Sequence, residues 1–163
     1  MLFASAEFSW FTFVVTTLFS TFLSSVLSLL TAIFVTSYRN SFQELARIRE
    51  DNKKLLELSI QYPHLENRKF CDSFDPESED DKKLQYEIYC ICVFNLISRV
   101  WEHAKKDAKK VQAILAVDEY VLMHQNWWKN DLLLNAKAYE TDFITFINTR
   151  MESDKNEQES NSD

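Results

Sequence analysis

The chain has 163 residues, a formal net charge of −7, no glycine and two prolines, Pro63 and Pro76. Ordinary usage of about 7% would supply around eleven glycines. Their absence excludes phosphate-binding loops, dinucleotide fingerprints and G-x-S-x-G elbows, each of which needs backbone that only Gly can place. An acidic chain without a basic stripe also argues against nucleic acid as a partner.

Helices are the architecture that best tolerates the lack of Gly, because their residues sit at negative φ. Positions that need φ > 0 are expected to be avoided or given to Asn or Asp. The predicted class is all-α: a single N-terminal transmembrane helix continuing into a cytosolic stalk, followed by a small helical bundle. The expected divisions are a short extracytoplasmic N-terminus over 1–7, the transmembrane helix over 8–38, a juxtamembrane stalk over 39–61, the cytosolic bundle over 62–151 and a disordered acidic tail over 152–163.

From Phe8 to Tyr38 thirty-one residues pass without a charged side chain. A helix of that length extends roughly 45 Å, against a hydrocarbon core of about 30 Å, so one pass is covered and two are not. Residues near 13 to 35 then occupy the core, and Trp10, Tyr38 and Arg39 fall where amphipathic rings and snorkelling cations anchor a span at its interfaces. The leading MLFASAE has no Lys or Arg, and the apolar run exceeds the about 7–15 residues of a cleaved signal, which predicts an uncleaved anchor. Arg39, Arg47, Arg49, Lys53 and Lys54 follow the span and no basic residue precedes it. The positive-inside rule therefore predicts a single-pass inner-membrane protein with its N-terminus outside and its bundle cytoplasmic, the lipid bilayer being its first partner.

Within the span, Thr17, Thr21, Ser24, Ser28 and Thr31 recur at spacings of 4, 3, 4 and 3. They form one stripe about 80° wide on a helical wheel. Small hydroxylated residues let membrane helices approach closely, so the stripe reads as a homo-oligomer seam. The competing reading is that each hydroxyl bonds its own i−4 carbonyl and needs no partner.

Leu45, Ile48, Asn52, Leu55, Leu56 and Ser59 continue the helical spacing to about Gln61, just before Pro63. This stalk either packs on its own bundle or prolongs the seam as a short coiled coil. Glu44, Glu50 and Asp51 interleave with its cations, which suits orientation better than lipid recognition. Pro63 to Ser73 is a connector with a helical turn in LENRKF. Next come Asp75 as N-cap, Pro76 at the first helical position, and Glu77, Glu79, Asp80 and Asp81 at the positive end of the helix dipole. That arrangement explains the acidic run better than a cation site does.

The helix so begun enters IYCICVFNLI, residues 88–97, and is expected to be buried on most faces as far as His103. KKDAKK follows as a turn or an exposed helical surface. Val111, Ile114, Leu115, Asp118, Val121 and Leu122 mark one further amphipathic helix. Trp127 and Trp128 stand at a joint, and residues 132–150 carry Ala136, Tyr139, Phe143, Phe146 and Ile147 as a last apolar stripe. MESDKNEQESNSD is too polar to bury a face.

The three cysteines, all on the predicted cytoplasmic side, are expected to be free. Cys90 and Cys92 lie about 200° apart on a helix, so they cannot readily share an ion and read as core thiols. His64, Cys71, His103 and His124 complete the metal-ligand candidates, and no ligand spacing joins them. No cofactor, metal or catalytic set is predicted. One polar and aromatic group, Arg99, Trp101, Glu102, His124, Trp127 and Trp128, has the chemistry to hold a charged ligand against ring faces. Tryptophans packed in the core of a small bundle are the plainer reading. The functional expectation is a membrane-anchored interaction or regulatory module with a protein partner, homo-oligomeric through its span. The alternative is a membrane-perturbing effector, a toxin or anti-phage defence component, whose spans assemble on activation.

Overall fold

A computed structural model describes residues 3–75, 77, 81–130 and 137–160. The described residues are all-α, with seven α-helices, one 3-10 turn and no strand among them. The helices are α1 (Phe3–Gln61), α2 (Arg68–Asp72), α3 (Asp81–His103), α4 (Ala108–Ile114), α5 (Val117–Met123), α6 (Gln125–Asn130) and α7 (Thr141–Ser160), and the 3-10 turn is Pro63–Glu66. The chain forms two compact units, residues 1–43 and 44–163.

The first unit is helix alone. From Trp10 to Gln43 every side chain is exposed except the half-buried Val14. This part of α1 is long and apolar enough to cross a membrane, with a mean hydropathy of 2.1 over its most apolar window. Trp10 and Tyr38 are 70% and 61% exposed, Arg39 is exposed, and the Tyr38 ring lies 4.9 Å from that of Phe42. In the hydroxyl stripe, Thr17, Thr21 and Thr31 donate to the carbonyls of Phe13, Thr17 and Leu27 at 2.8, 3.0 and 2.9 Å. Thr16 and Ser25, off the stripe, donate to Thr12 and Thr21 at 2.8 and 2.9 Å. Back-bonding on and off the stripe satisfies these five hydroxyl protons within the helix and neither requires nor forbids a neighbouring helix.

The second unit takes in the last eighteen residues of the first helix: from Glu44 onward α1 is a wall of the bundle. Ile48 and Leu55 are 2% and 4% exposed in its core, so this segment packs on its own bundle. Arg99 of α3 fastens it, donating to Glu44 Oε1 through Nη2 at 2.8 Å and pairing with Asp51 through Nη1.

α3 is the central helix. Tyr86, Cys90, Phe94, Ile97 and Val100 are fully buried along one stripe. The expectation that it is covered on most faces is corrected by the opposite stripe, where Leu84, Ile88 and Ile91 are 61%, 54% and 45% exposed. The core needs only one stripe of a helix, and a bundle this small cannot wrap the rest. Cys92 lies on that outer side and is exposed, whereas Cys90 is buried. Of the two thiols read as core, one is therefore not, for the reason that separated them: two residues turn a helix by about 200°.

Asp75 Oδ1 accepts from the Glu77 N–H at 2.9 Å. Pro76, Glu79 and Asp80, named with it as the helix start, lie outside the described residues, and the described helix begins at Asp81. At the other end, Lys105 and Lys106 take φ of 55° and 63°. Left-handed positions were expected at Asn or Asp; here lysines occupy them. The Lys106 N–H closes back on the Trp101 carbonyl at 2.9 Å, the six-to-one bond of a Schellman turn. Lys106 Nζ meets Glu140 and Asp142 at 2.8 and 2.6 Å. Asp107 then caps α4 by accepting from Lys109 and Lys110 at 3.0 and 3.3 Å.

The single amphipathic helix expected over 111–122 is two short ones. Leu115 is extended, and Ala116 at φ −72°, ψ 67° makes an inverse γ-turn, with Val117 N donating to Leu115 O at 2.8 Å. The break rotates the register so that Val111, Leu115, Val117 and Val121 are all buried. It also leaves Asp118 facing Arg150, at 3.4 Å. Trp127 and Trp128 sit inside α6. The last helix was expected from 132, but 132 and Ala136 lie outside the described residues and α7 begins at Thr141. It buries Phe143, Phe146, Ile147 and Met151 and continues to Ser160, past the bundle end placed at 151. Glu, Lys and Gln in that stretch are good helix formers.

Candidate functional site

The site begins with a histidine that is fully buried. His124 closes α5 and is 0% exposed. Its Nδ1 lies 3.0 Å from the Tyr86 hydroxyl, and its ring centre is 5.6 Å from those of both Tyr86 and Tyr89. Its Nε2 faces Glu66 Oε1 at 3.9 Å without a hydrogen-bond partner. Glu66 ends the 3-10 turn that Pro63 opens, and the Tyr89 hydroxyl donates to its Oε1. Two tyrosines three residues apart on α3 thus reach a histidine from α5 and a carboxylate from the connector.

Burial works against ionisation of Glu66, but the bond from Tyr89 and the nearness of His124 outweigh it and hold the carboxyl below its ordinary value. Burial, helped by Glu66, pushes the Tyr89 phenol far up; burial also raises Tyr86. Both stay protonated. Burial likewise raises the thiols of Cys71 and Cys90, and Cys71 Sγ donates to the Leu65 carbonyl at 3.4 Å. These two are buried core thiols.

Glu66 is not wholly enclosed: its side chain is 30% exposed and opens into a cleft of about 480 Å³ between α1, the 3-10 turn, α4 and α5. Asn52 and Ser59 line one side, Glu119, Tyr120 and Met123 the other, and no Lys or Arg is among the lining residues. The Tyr120 hydroxyl donates across the cleft to Asn52 Oδ1 at 3.1 Å. This is a wall with a fixed carboxylate, a second carboxylate, an aromatic ring and a thioether.

The six residues picked out as a ligand pocket do not line one cavity. Arg99 lines a hollow of about 330 Å³ with Lys54, Leu58 and Cys92. Trp101 lines another with Asp142 and Arg150, its ring 4.3 Å from Phe146. Glu102 pairs with Lys106 at 3.6 Å. Trp127 and Trp128 pack on Phe94 at 5.5 and 4.5 Å, and the Trp128 Nε1–H donates to Asn148 at 3.1 Å. Only His124 belongs to the network behind the cleft. Glu66, Tyr86, Tyr89 and Tyr120 went unnoticed in the sequence. Two tyrosines at i, i+3 inside an apolar run were the available signal, since a buried phenol needs a partner. Among the described residues no group of three or more His, Cys, Asp or Glu is placed to hold a metal ion. No protein family, curated protein or solved structure matches the chain.

Proposed function

We propose that the chain is a membrane-tethered recognition module, with the uncharged segment of α1 as the tether and the cleft of residues 44–163 as the recognising part. The observation that carries this reading is the exposed first unit. Large apolar side chains such as Phe13, Phe22, Leu27 and Phe34 stand 65–72% exposed around the helix. Soluble monomers rarely present apolar patches beyond a few hundred Å², and lipid is the medium that covers a helix apolar all round. Arg39 and the cations after it support a cytoplasmic position for the bundle, at the inner membrane. The hydroxyl stripe supports association of the span with copies of itself.

The expected result of expressing the full chain is that it stays with membranes through an alkaline carbonate wash, while a chain lacking residues 8–38 is released. Membrane potential, followed with a voltage-sensitive dye, is expected to remain unchanged on overexpression. Release of the full chain by carbonate contradicts the tether, and collapse of the potential replaces this reading with that of a membrane-perturbing effector.

A further inference from the structure

We propose that the cleft between α1 and the α4–α5 segment binds an aliphatic ammonium group, with the Glu66 carboxylate as its counter-ion. This deepens the recognition reading by naming the group recognised.

The carboxylates that join helices in this bundle come with cations. Glu44 and Asp51 share Arg99, Asp118 has Arg150, and Glu140 and Asp142 have Lys106. Glu66 is the exception. Its partners are a phenol and a fully buried imidazole, and no Lys or Arg among the described residues pairs with it. A carboxylate partly withdrawn from water without a cation is disfavoured to that extent, and the usual remedies are a paired charge or protonation. Protonation is not the remedy here, because the Tyr89 hydroxyl donates to Oε1 and a bond donated to a carboxylate favours its charged form. The charge therefore faces a cleft that supplies no cation of its own.

The rest of the cleft suits one from outside. At about 480 Å³ it falls within the range of small-ligand sites. Glu119 adds a second negative charge at the lining, Tyr120 adds an aromatic ring, and Leu56, Ile114 and Met123 offer apolar contact to an alkyl stem. His124 Nε2, buried and without a hydrogen-bond partner, stands 3.9 Å from Glu66 Oε1 and outside the cleft lining. An alkylammonium carries three donors on a flexible stem; a free amine and a lysine side chain on a partner both present it.

The test uses the full chain in a nonionic detergent with methyl-¹³C methionine. Met123 lines the cleft, whereas Met151 is 4% exposed and outside its lining, so one methyl signal reports the site and another the fold. Titration with 1,5-diaminopentane is expected to move the Met123 signal saturably and leave Met151 in place. 1-Pentanol, or sodium chloride at matched ionic strength, is expected to move neither. Glu66→Gln is expected to weaken binding about tenfold or more, and Glu119→Gln, at an exposed position, severalfold. Saturation by the diamine alone assigns the site to free amines. Saturation also by the peptide acetyl-Ala-Lys-Ala-amide, but not by its norleucine counterpart, extends it to a partner's lysine. No saturable shift with either, or equal affinity in a Glu66→Gln chain whose Met151 signal is unchanged, overturns the proposal. A chain that resists carbonate yet shows no Met123 shift sinks the cleft alone and leaves the tether standing.

Discussion

Phe94→Ala is expected to destabilise residues 44–163 by about 3–5 kcal/mol, whereas Ile91→Ala, three residues earlier in the same apolar run, costs about 1 kcal/mol or less. The two positions look alike in the sequence and differ in the fold. Phe94 is 0% exposed and packs against Trp127 and Trp128, with ring centres at 5.5 and 4.5 Å. Its removal loses the transfer free energy of a large ring and opens a cavity that two rigid indoles cannot fill. Ile91 is 45% exposed, so half of its surface gains nothing on folding. For a unit of this size the first loss is a large fraction of the whole stability, about 0.05–0.15 kcal/mol per residue. Urea titration of the detergent-solubilised full chain, followed by tryptophan fluorescence, measures both. Equal shifts would show that the Ile91 face is covered.

His124→Ala is expected to cost about 3 kcal/mol or more, with a measurable part of that loss assigned to one neighbour. The imidazole is fully buried against the rings of Tyr86 and Tyr89. Truncation leaves a cavity, and it strands the Tyr86 hydroxyl, itself 0% exposed, without the partner now at 3.0 Å. A buried hydroxyl left unsatisfied costs about 1–3 kcal/mol. Tyr86→Phe removes that orphan, so the double variant is expected to be about 1 kcal/mol more stable than the sum of the single losses. Strict additivity would mean that the Tyr86–His124 bond carries no energy.

Much of the fold follows from local rules that a reader can apply to the sequence. The lack of Gly and the placement of two prolines in one region predict helix throughout. The charge-free run from Phe8 to Tyr38 marks the first unit, and Ile48 and Leu55 at helical spacing mark the face of α1 that enters the bundle. What escaped was non-local. Periodicity shows that 111–122 is amphipathic, but not that the chain turns at Ala116, which brings Val117 and Val121 into the core and sets Asp118 opposite Arg150 of α7. An apolar run such as 88–97 cannot declare which of its faces has neighbours. The site was the least legible part: Glu66 and His124 are 58 positions apart, and a lone Glu in a connector gives no sign that two phenols and an imidazole converge on it. The aromatic residues that drew attention, Trp101, Trp127 and Trp128, did so by size and proved to be core.

Sidedness of a native thiol tests the central claim, that an N-terminal tether holds the helical unit at the cytoplasmic face. Cys92 is exposed while Cys71 and Cys90 are buried, so a membrane-impermeant maleimide applied at mildly alkaline pH reads one position without engineering. In intact spheroplasts Cys92 is expected to stay unmodified, and in inverted membrane vesicles it is expected to be labelled. Labelling of Cys92 in sealed spheroplasts would place the unit on the other side of the membrane and contradict the account.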